Sequence, residues 1–144
     1  MDERAALVLL NSVRSLPTAR LKKALAFFGC AVEVLKARPH DLVAAGGLTP
    51  LMAQQVERAK TRFNPAREMD QARQQGISVL ILSDRAYPEN LKEIFDPPQV
   101  LYVKGTLDQG DQNAVSVVGS RGASYYGLSC AQSFSYQLAS WGLS

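Results

Sequence analysis

A chain of 144 residues and 15.7 kDa holds one ordinary domain, or one small domain and part of a second. Hydrophobic content of 47% with 20% charged residues excludes a disordered protein, and no apolar run reaches the roughly 18 residues that span a bilayer. The net charge of +3 divides unevenly: residues 1–73 carry 12 Lys and Arg against 7 Asp and Glu, and residues 74–144 carry 4 against 6. The first half is thus basic enough for an accessory nucleic-acid surface, although many helical domains share that balance without the role.

The N-terminus, Met1 to Arg4, is charged, and the apolar run Ala5 to Leu10 is broken by Asn11, so no secretory signal is read and a cytoplasmic location is expected. The spacing predicts a helix over Glu3 to Val13, with Ala6, Leu7, Leu10 and Val13 on one face. Pro17 opens a second helix striped by Leu21, Leu25 and Phe28 and stopped by Gly29. Ala31 to Ala37 and Pro39 to Ala45 read as helices too short to stand without packing. Thr49-Pro50 and Asn64-Pro65 each place a capping side chain before proline at the first helical position. They start helices over Leu51 to Phe63 and from Pro65 to Gln75, the latter ended by Gly76.

Between them, Gly46-Gly47-Leu48-Thr49 partly resembles a helix-hairpin-helix DNA-binding turn, but Leu48 stands where a second glycine is required. A plain turn in a sterile-alpha-motif-like (SAM-like) bundle is the simpler reading. Cys30 and Cys130 have no metal-ligand spacing and read as two buried, reduced thiols. His40, the single histidine, reads as a surface or cap residue.

The composition changes at Ile77. Ile77 to Leu82 predicts a strand, Ser83 to Arg85 a turn, Tyr87 to Phe95 a short helix, and Val100 to Val103 a second strand ending at Lys104-Gly105. Leu107 to Gln112 is a polar, acidic connection. Ala114 to Val118 is a β-branched run suited to a buried strand, followed by Gly119-Ser120-Arg121-Gly122. A helix then starts near Ser124, with Leu128, Ala131, Phe134, Leu138 and Trp141 at helical spacing.

A strand, a glycine-containing loop and a helix make the opening of a phosphate-binding α/β unit, because loop amides and the positive helix end face an anion. Arg121 adds a fixed cation with a fork of donors. Ser120 and Ser124 can donate to phosphate, and Ser124 can instead cap the helix. Tyr125 and Tyr126 can stack on bases, with one of the two expected to pack on a neighbour instead. Tyr87, Tyr102 and Trp141 read as core or interface residues. The glycine spacing matches neither a dinucleotide fingerprint nor a P-loop, so no cofactor is expected; no nucleophile–base pair or metal cluster is read either.

Two blocks together carry a family likeness. One runs from Asp84 through Tyr87-Pro88, Leu91, Ile94 and Asp96-Pro97-Pro98 to Val100-Leu101-Tyr102 and Lys104-Gly105. The other is Val117-Val118-Gly119-Ser120-Arg121, then Ala123-Ser124 and Tyr126-Gly127, with Leu138-Ala139 and Gly142 following. With these blocks the chain resembles the DNA-processing protein A (DprA/Smf) family. The resemblance implies an α/β fold class: a small all-helical, SAM-like domain over 1–75, then over 76–144 the first part of a Rossmann-like DNA-binding domain, truncated at residue 144. It further implies a non-enzymatic mediator that binds single-stranded DNA, protects it and helps load RecA recombinase in natural transformation, working as a homodimer at full length. The phosphate-holding loop carries over to Gly119, Ser120 and Arg121, with Ser124, Tyr126 and Gly127 beside them. The alternative is a nucleotide-binding enzyme of the lysine-decarboxylase-like phosphoribohydrolase type, against which the Tyr-Pro and Asp-Pro-Pro block argues.

Overall fold

The structure is a computed structural model that describes residues 1–107 and 113–143. By compactness it divides into Met1–Gly105 and Thr106–Ser144. Composition divides the chain earlier, at Ile77, but the strands that follow lie with the helices because Ile81 and Val100 close the same hydrophobic core.

The first unit opens with six helices: α1 (Glu3–Asn11), α2 (Thr18–Phe28), α3 (Ala31–Lys36), α4 (Pro39–Ala44), α5 (Pro50–Arg62) and α6 (Pro65–Gln74). Their ends follow local chemistry. Asp2 Oδ1 accepts the Ala5 amide at 2.8 Å, Thr49 Oγ1 that of Met52 at 3.3 Å, and Asn64 Oδ1 that of Arg67 at 3.2 Å. Gly29 and Gly76 stop α2 and α6 in the left-handed region, at φ +88° and +69°. The six-residue α3 has no capping side chain of its own. Its first amides, Ala31 and Val32, are taken at 2.7 and 3.2 Å by the carboxylate of Glu3 from α1.

α1 is more than the one-sided helix its spacing predicts. Ala5 through Leu10 are all buried, because α3, α5, α6 and a strand pack around it. A helix apolar on every side belongs at the centre of a fold, and this one is the hub.

The Gly46-Gly47 segment is a plain turn between α4 and α5. A Cβ on Gly46 would stand 2.8 Å from the Leu42 carbonyl oxygen, and Gly47 has φ +68°. The Leu48 amide donates to Leu42 at 3.2 Å and Leu48 is buried, so the turn is closed on itself.

After α6 come β1 (Ile77–Ile81), the single-turn α7 (Glu89–Lys92) and β2 (Val100–Lys104). The strands pair antiparallel, from Ile77 opposite Lys104 to Ile81 opposite Val100. Their connection is anchored by Tyr87, which is 1% exposed and donates its hydroxyl to the Pro98 carbonyl at 2.8 Å. Tyr87 is therefore the core residue its sequence context predicts. Tyr102 is not in the core: it is exposed on β2, where its side chain meets Glu68 of α6 at the boundary between the strands and the helices. Cys30 is a free thiol but half-buried, as is Cys130, so neither has the full burial expected.

A fork of charge ties this hairpin to the helices. The Arg4 guanidinium donates to both Asp84 carboxylate oxygens, at 2.7 and 2.8 Å, and to the Val79 carbonyl at 2.7 Å. Asp84 also accepts the Ile81 amide at 2.8 Å. The hydrogen bond from Arg4 holds the Asp84 carboxyl below its ordinary 3.8, against the opposing effect of burial. A depressed folded pKa means that the clamp's contribution is complete above the ordinary carboxylate value and is lost as pH falls from 3.8 through the folded value. We expect Asp84→Asn to cost about 1–3 kcal/mol at neutral pH. That gap should narrow progressively when urea midpoints of the two proteins are compared at pH values falling below 3.8. A gap that persists unchanged in acid would show that the carboxylate charge is not what holds the hairpin.

The second unit departs from expectation in two respects. Ala114 to Val118 forms no strand in the described structure; a β-branched run sets only a tendency, and no ladder partner meets it there. The sheet of the described residues is the two-stranded antiparallel β1–β2 pair, and no parallel strands are present among them. α8 (Tyr125–Ser140) forms as predicted, with Gly142 beyond it at φ +80°. Its apolar stripe is not buried: Leu128, Phe134 and Trp141 are exposed, so Trp141 lies in no core of the described residues. Of the acidic connection, residues 108–112 lie outside the described residues. No helix of the described residues is long and apolar enough to cross a membrane.

Candidate functional site

Gly119, Ser120 and Arg121 lie in the loop before α8, and Ser124, Tyr126 and Gly127 in its cap and first turn. Ser124 has extended backbone, and its Oγ accepts the Gly127 amide at 3.2 Å, which makes it the N-cap. The first two amides of the helix, Tyr125 and Tyr126, then have no acceptor within the helix. They stand at the positive end of a 16-residue dipole. Upstream, Ser120 Oγ accepts the Gly122 amide at 3.3 Å and folds the chain into a turn at Arg121-Gly122.

Arg121 projects from that turn, exposed and with no ion pair among the described residues. It is the only Lys or Arg after Lys104, and no Asp or Glu follows Asp111. Within residues 113–143 the charge at the loop therefore comes from one guanidinium and one helix end of the same sign, with no carboxylate in that stretch to neutralise them. Opposite charge brought to this place has two kinds of donor to meet: the planar fork of Arg121 and backbone amides.

The glycines behave differently from one another. None of the described residues comes within 4 Å of a Cβ built on Gly119 or Gly122, and neither has a positive φ. Gly119 stands just before the turn at Arg121-Gly122, and the fold itself does not require glycine there; what glycine leaves is bare backbone that another group can approach. A Cβ on Gly127 would stand 3.5 Å from Ser124 Oγ, an ordinary contact. Tyr125 and Tyr126 are 89% and 78% exposed, so neither packs as one of them was expected to, and both rings are open to stacking.

Elsewhere the chemistry is quiet. No group of three or more His, Cys, Asp or Glu is placed to hold a metal ion among the described residues. His40 is exposed, with Nδ1 3.6 Å from the Asp41 carboxylate, as a surface residue should be. The Asp41 carboxyl is held below its ordinary range by the hydrogen bond from Arg38.

Comparison with known proteins places this loop in a family context. Residues 78–144 match the family model described as DNA recombination-mediator protein A. The chain is 30% identical over 124 residues to Protein Smf of Synechocystis sp., an alignment that covers 83% of this chain and 31% of the relative. It is 41% identical over 58 residues to DNA processing protein DprA of Bacillus subtilis, covering 38% of this chain and 19% of that protein. Protein Smf of Borreliella burgdorferi is 40% identical over 65 residues, covering 45% and 21%. The chain thus spans about a third or less of the length of these relatives. No solved structure matches it significantly.

Proposed function

The chain belongs, through residues 78–144, to the DNA recombination-mediator protein A (DprA/Smf) family, and on that premise we propose that its Gly119–Gly127 segment binds single-stranded DNA by the phosphates. The work is mediation in the cytoplasm, without a cofactor: holding and protecting an incoming strand and helping to load RecA recombinase in natural transformation. The protein acts as a homodimer at full length. The observation that carries the reading is the Arg121 guanidinium, unpaired among the described residues, beside the first amides of α8 that no helical acceptor takes, in a stretch free of carboxylates from 113 to 143. Phosphates meet Arg121 and the Tyr125 and Tyr126 amides, while the two exposed tyrosine rings take bases by stacking, a grip that tolerates any sequence.

On this reading residues 1–75 form a SAM-like platform, and residues 76–144 contribute the first part of a Rossmann-like domain. The exposed stripe of Leu128, Phe134 and Trp141 on α8 is the face on which the rest of that domain packs in the longer protein.

Photo-crosslinking with a halogenated single-stranded oligonucleotide tests the site. Trypsin leaves everything after Arg121 as one peptide, because no Lys or Arg follows it. Adducts on Tyr125 or Tyr126 in that peptide are expected. Adducts confined to other peptides would remove the loop from the DNA path. Release of adenine from a nucleoside monophosphate would instead decide for the phosphoribohydrolase alternative.

A further inference from the structure

One cation is too few to hold a strand. Arg121 is the only Lys or Arg after Lys104, and each phosphate contact contributes only a fraction of a charged strand's affinity. The basic excess of the chain lies in residues 1–73. Much of it is already engaged: Arg4, Lys36, Arg38, Lys60 and Arg73 sit in ion pairs, and Arg20 donates to the Gly47 carbonyl.

Three arginines outside those pairs share one groove. It has a volume of about 400 Å³ and runs between the segment after α1, at Ser12 to Arg14, and the face of α5 that carries Gln55, Arg58 and Arg62, ending at Phe63. Arg14, Arg58 and Arg62 are exposed, and among the described residues they have no ion pair and no Asp or Glu lines the groove. The nearest acid on the helix, Glu57, is bonded to Lys60.

Helix geometry sets the spacing. Gln55, Arg58 and Arg62 recur at three and four residues, so they share a face, with Arg58 and Arg62 about 6 Å apart along the axis. The two walls are pinned together by a hydrogen bond from the Ser15 hydroxyl to Gln55 Oε1. Phe63 is half-buried against the core and turns its remaining surface to the groove.

We propose that this groove is a second nucleic-acid site, in which Arg14, Arg58 and Arg62 hold successive backbone phosphates of a single strand and Phe63 offers a stacking edge. The inference rests on the reading that the ligand is DNA, but it uses residues of the other compact unit and none from the Gly119–Gly127 segment. Arginine is suited to the task because its fork matches phosphate, and an aromatic beside cations is the usual composition of a single-strand path. It gives the helical first unit a function beyond that of a platform.

The test compares four forms of the chain by fluorescence anisotropy with a labelled oligothymidylate over a salt series: wild type, Arg58→Ala/Arg62→Ala, Arg58→Lys/Arg62→Lys, and Arg121→Ala. Single strands give a slope of about 0.7 per phosphate in log affinity against log salt, so the double alanine form should be shallower by about 1.4. The lysine form, which keeps both charges and the favourable cation at the α5 C-terminus, should recover the wild-type slope. Equal urea midpoints confirm that all forms are folded. Wild-type binding by the double alanine form, with Arg121→Ala weakened, would overturn the groove and leave the loop standing. The opposite pattern would leave the groove and remove the loop. Should anisotropy detect no binding, the Nε–H resonances of Arg14, Arg58 and Arg62 decide. Shifts on adding oligothymidylate support the proposal, whereas no shifts, or shifts only with polyglutamate, overturn it.

Discussion

Leu10→Ala is expected to lower the stability of the Met1–Gly105 unit by about 2–5 kcal/mol. Leu10 is fully buried on α1, the helix around which α3, α5, α6 and β2 are packed. Its neighbours in the core, including Leu7, Leu21, Val34, Leu42 and Val56, are themselves fixed by several elements at once and cannot collapse into the space that truncation leaves. The cost is therefore both the lost burial of the side chain and a cavity. For a small unit with a total stability of about 5–15 kcal/mol, that is a large share. In urea the midpoint should fall by roughly 1–3 M with little change in slope. Leu51→Ala is the control: Leu51 is exposed on the first turn of α5, and its loss should stay within about 0.5 kcal/mol. Equal effects of the two substitutions would contradict the placement of the core around α1.

Much of this fold is legible in the sequence because it is written locally. Thr49-Pro50, Asn64-Pro65, Gly29 and Gly76 mark helix ends through capping atoms and backbone conformations that need no knowledge of the rest of the chain. Ser124 is legible as a cap for the same reason. What the sequence hides is whatever depends on a distant partner. Arg4 and Asp84 are far apart in the chain and no local pattern pairs them, yet they form the fork that holds the hairpin. Glu3 caps a helix other than its own. Ala114 to Val118 has the composition of a strand, but a strand exists only where another edge meets it, which composition does not encode.

The two proposed sites divide in the same way. The Gly119–Gly127 segment can be found from sequence because its parts are neighbours: cap, helix end and guanidinium lie within one loop and turn. The basic groove is only half legible. Gln55, Arg58 and Arg62 show their helical spacing, but the Arg14 wall is brought to them by the packing of α1 on α5.

Arg121→Ala is the second large effect. The guanidinium is unpaired among the described residues and exposed, so its removal disturbs no contact of the folded chain and should leave the urea midpoint where it was. Its loss from a bound phosphate, in contrast, would remove a charge-assisted hydrogen bond of about 1–3 kcal/mol, a weakening of roughly fivefold to 150-fold. No other Lys or Arg follows Lys104 to substitute for it. Arg121→Lys should recover the charge but not the planar fork, and so fall between the two.

The affinity of wild type and Arg121→Ala for single-stranded oligothymidylate, measured across a salt series, tests the claim directly. The expected result is binding that weakens with salt, lowered by the substitution in affinity and shallower in slope by about 0.7. Unchanged affinity and slope in a folded Arg121→Ala protein would contradict it.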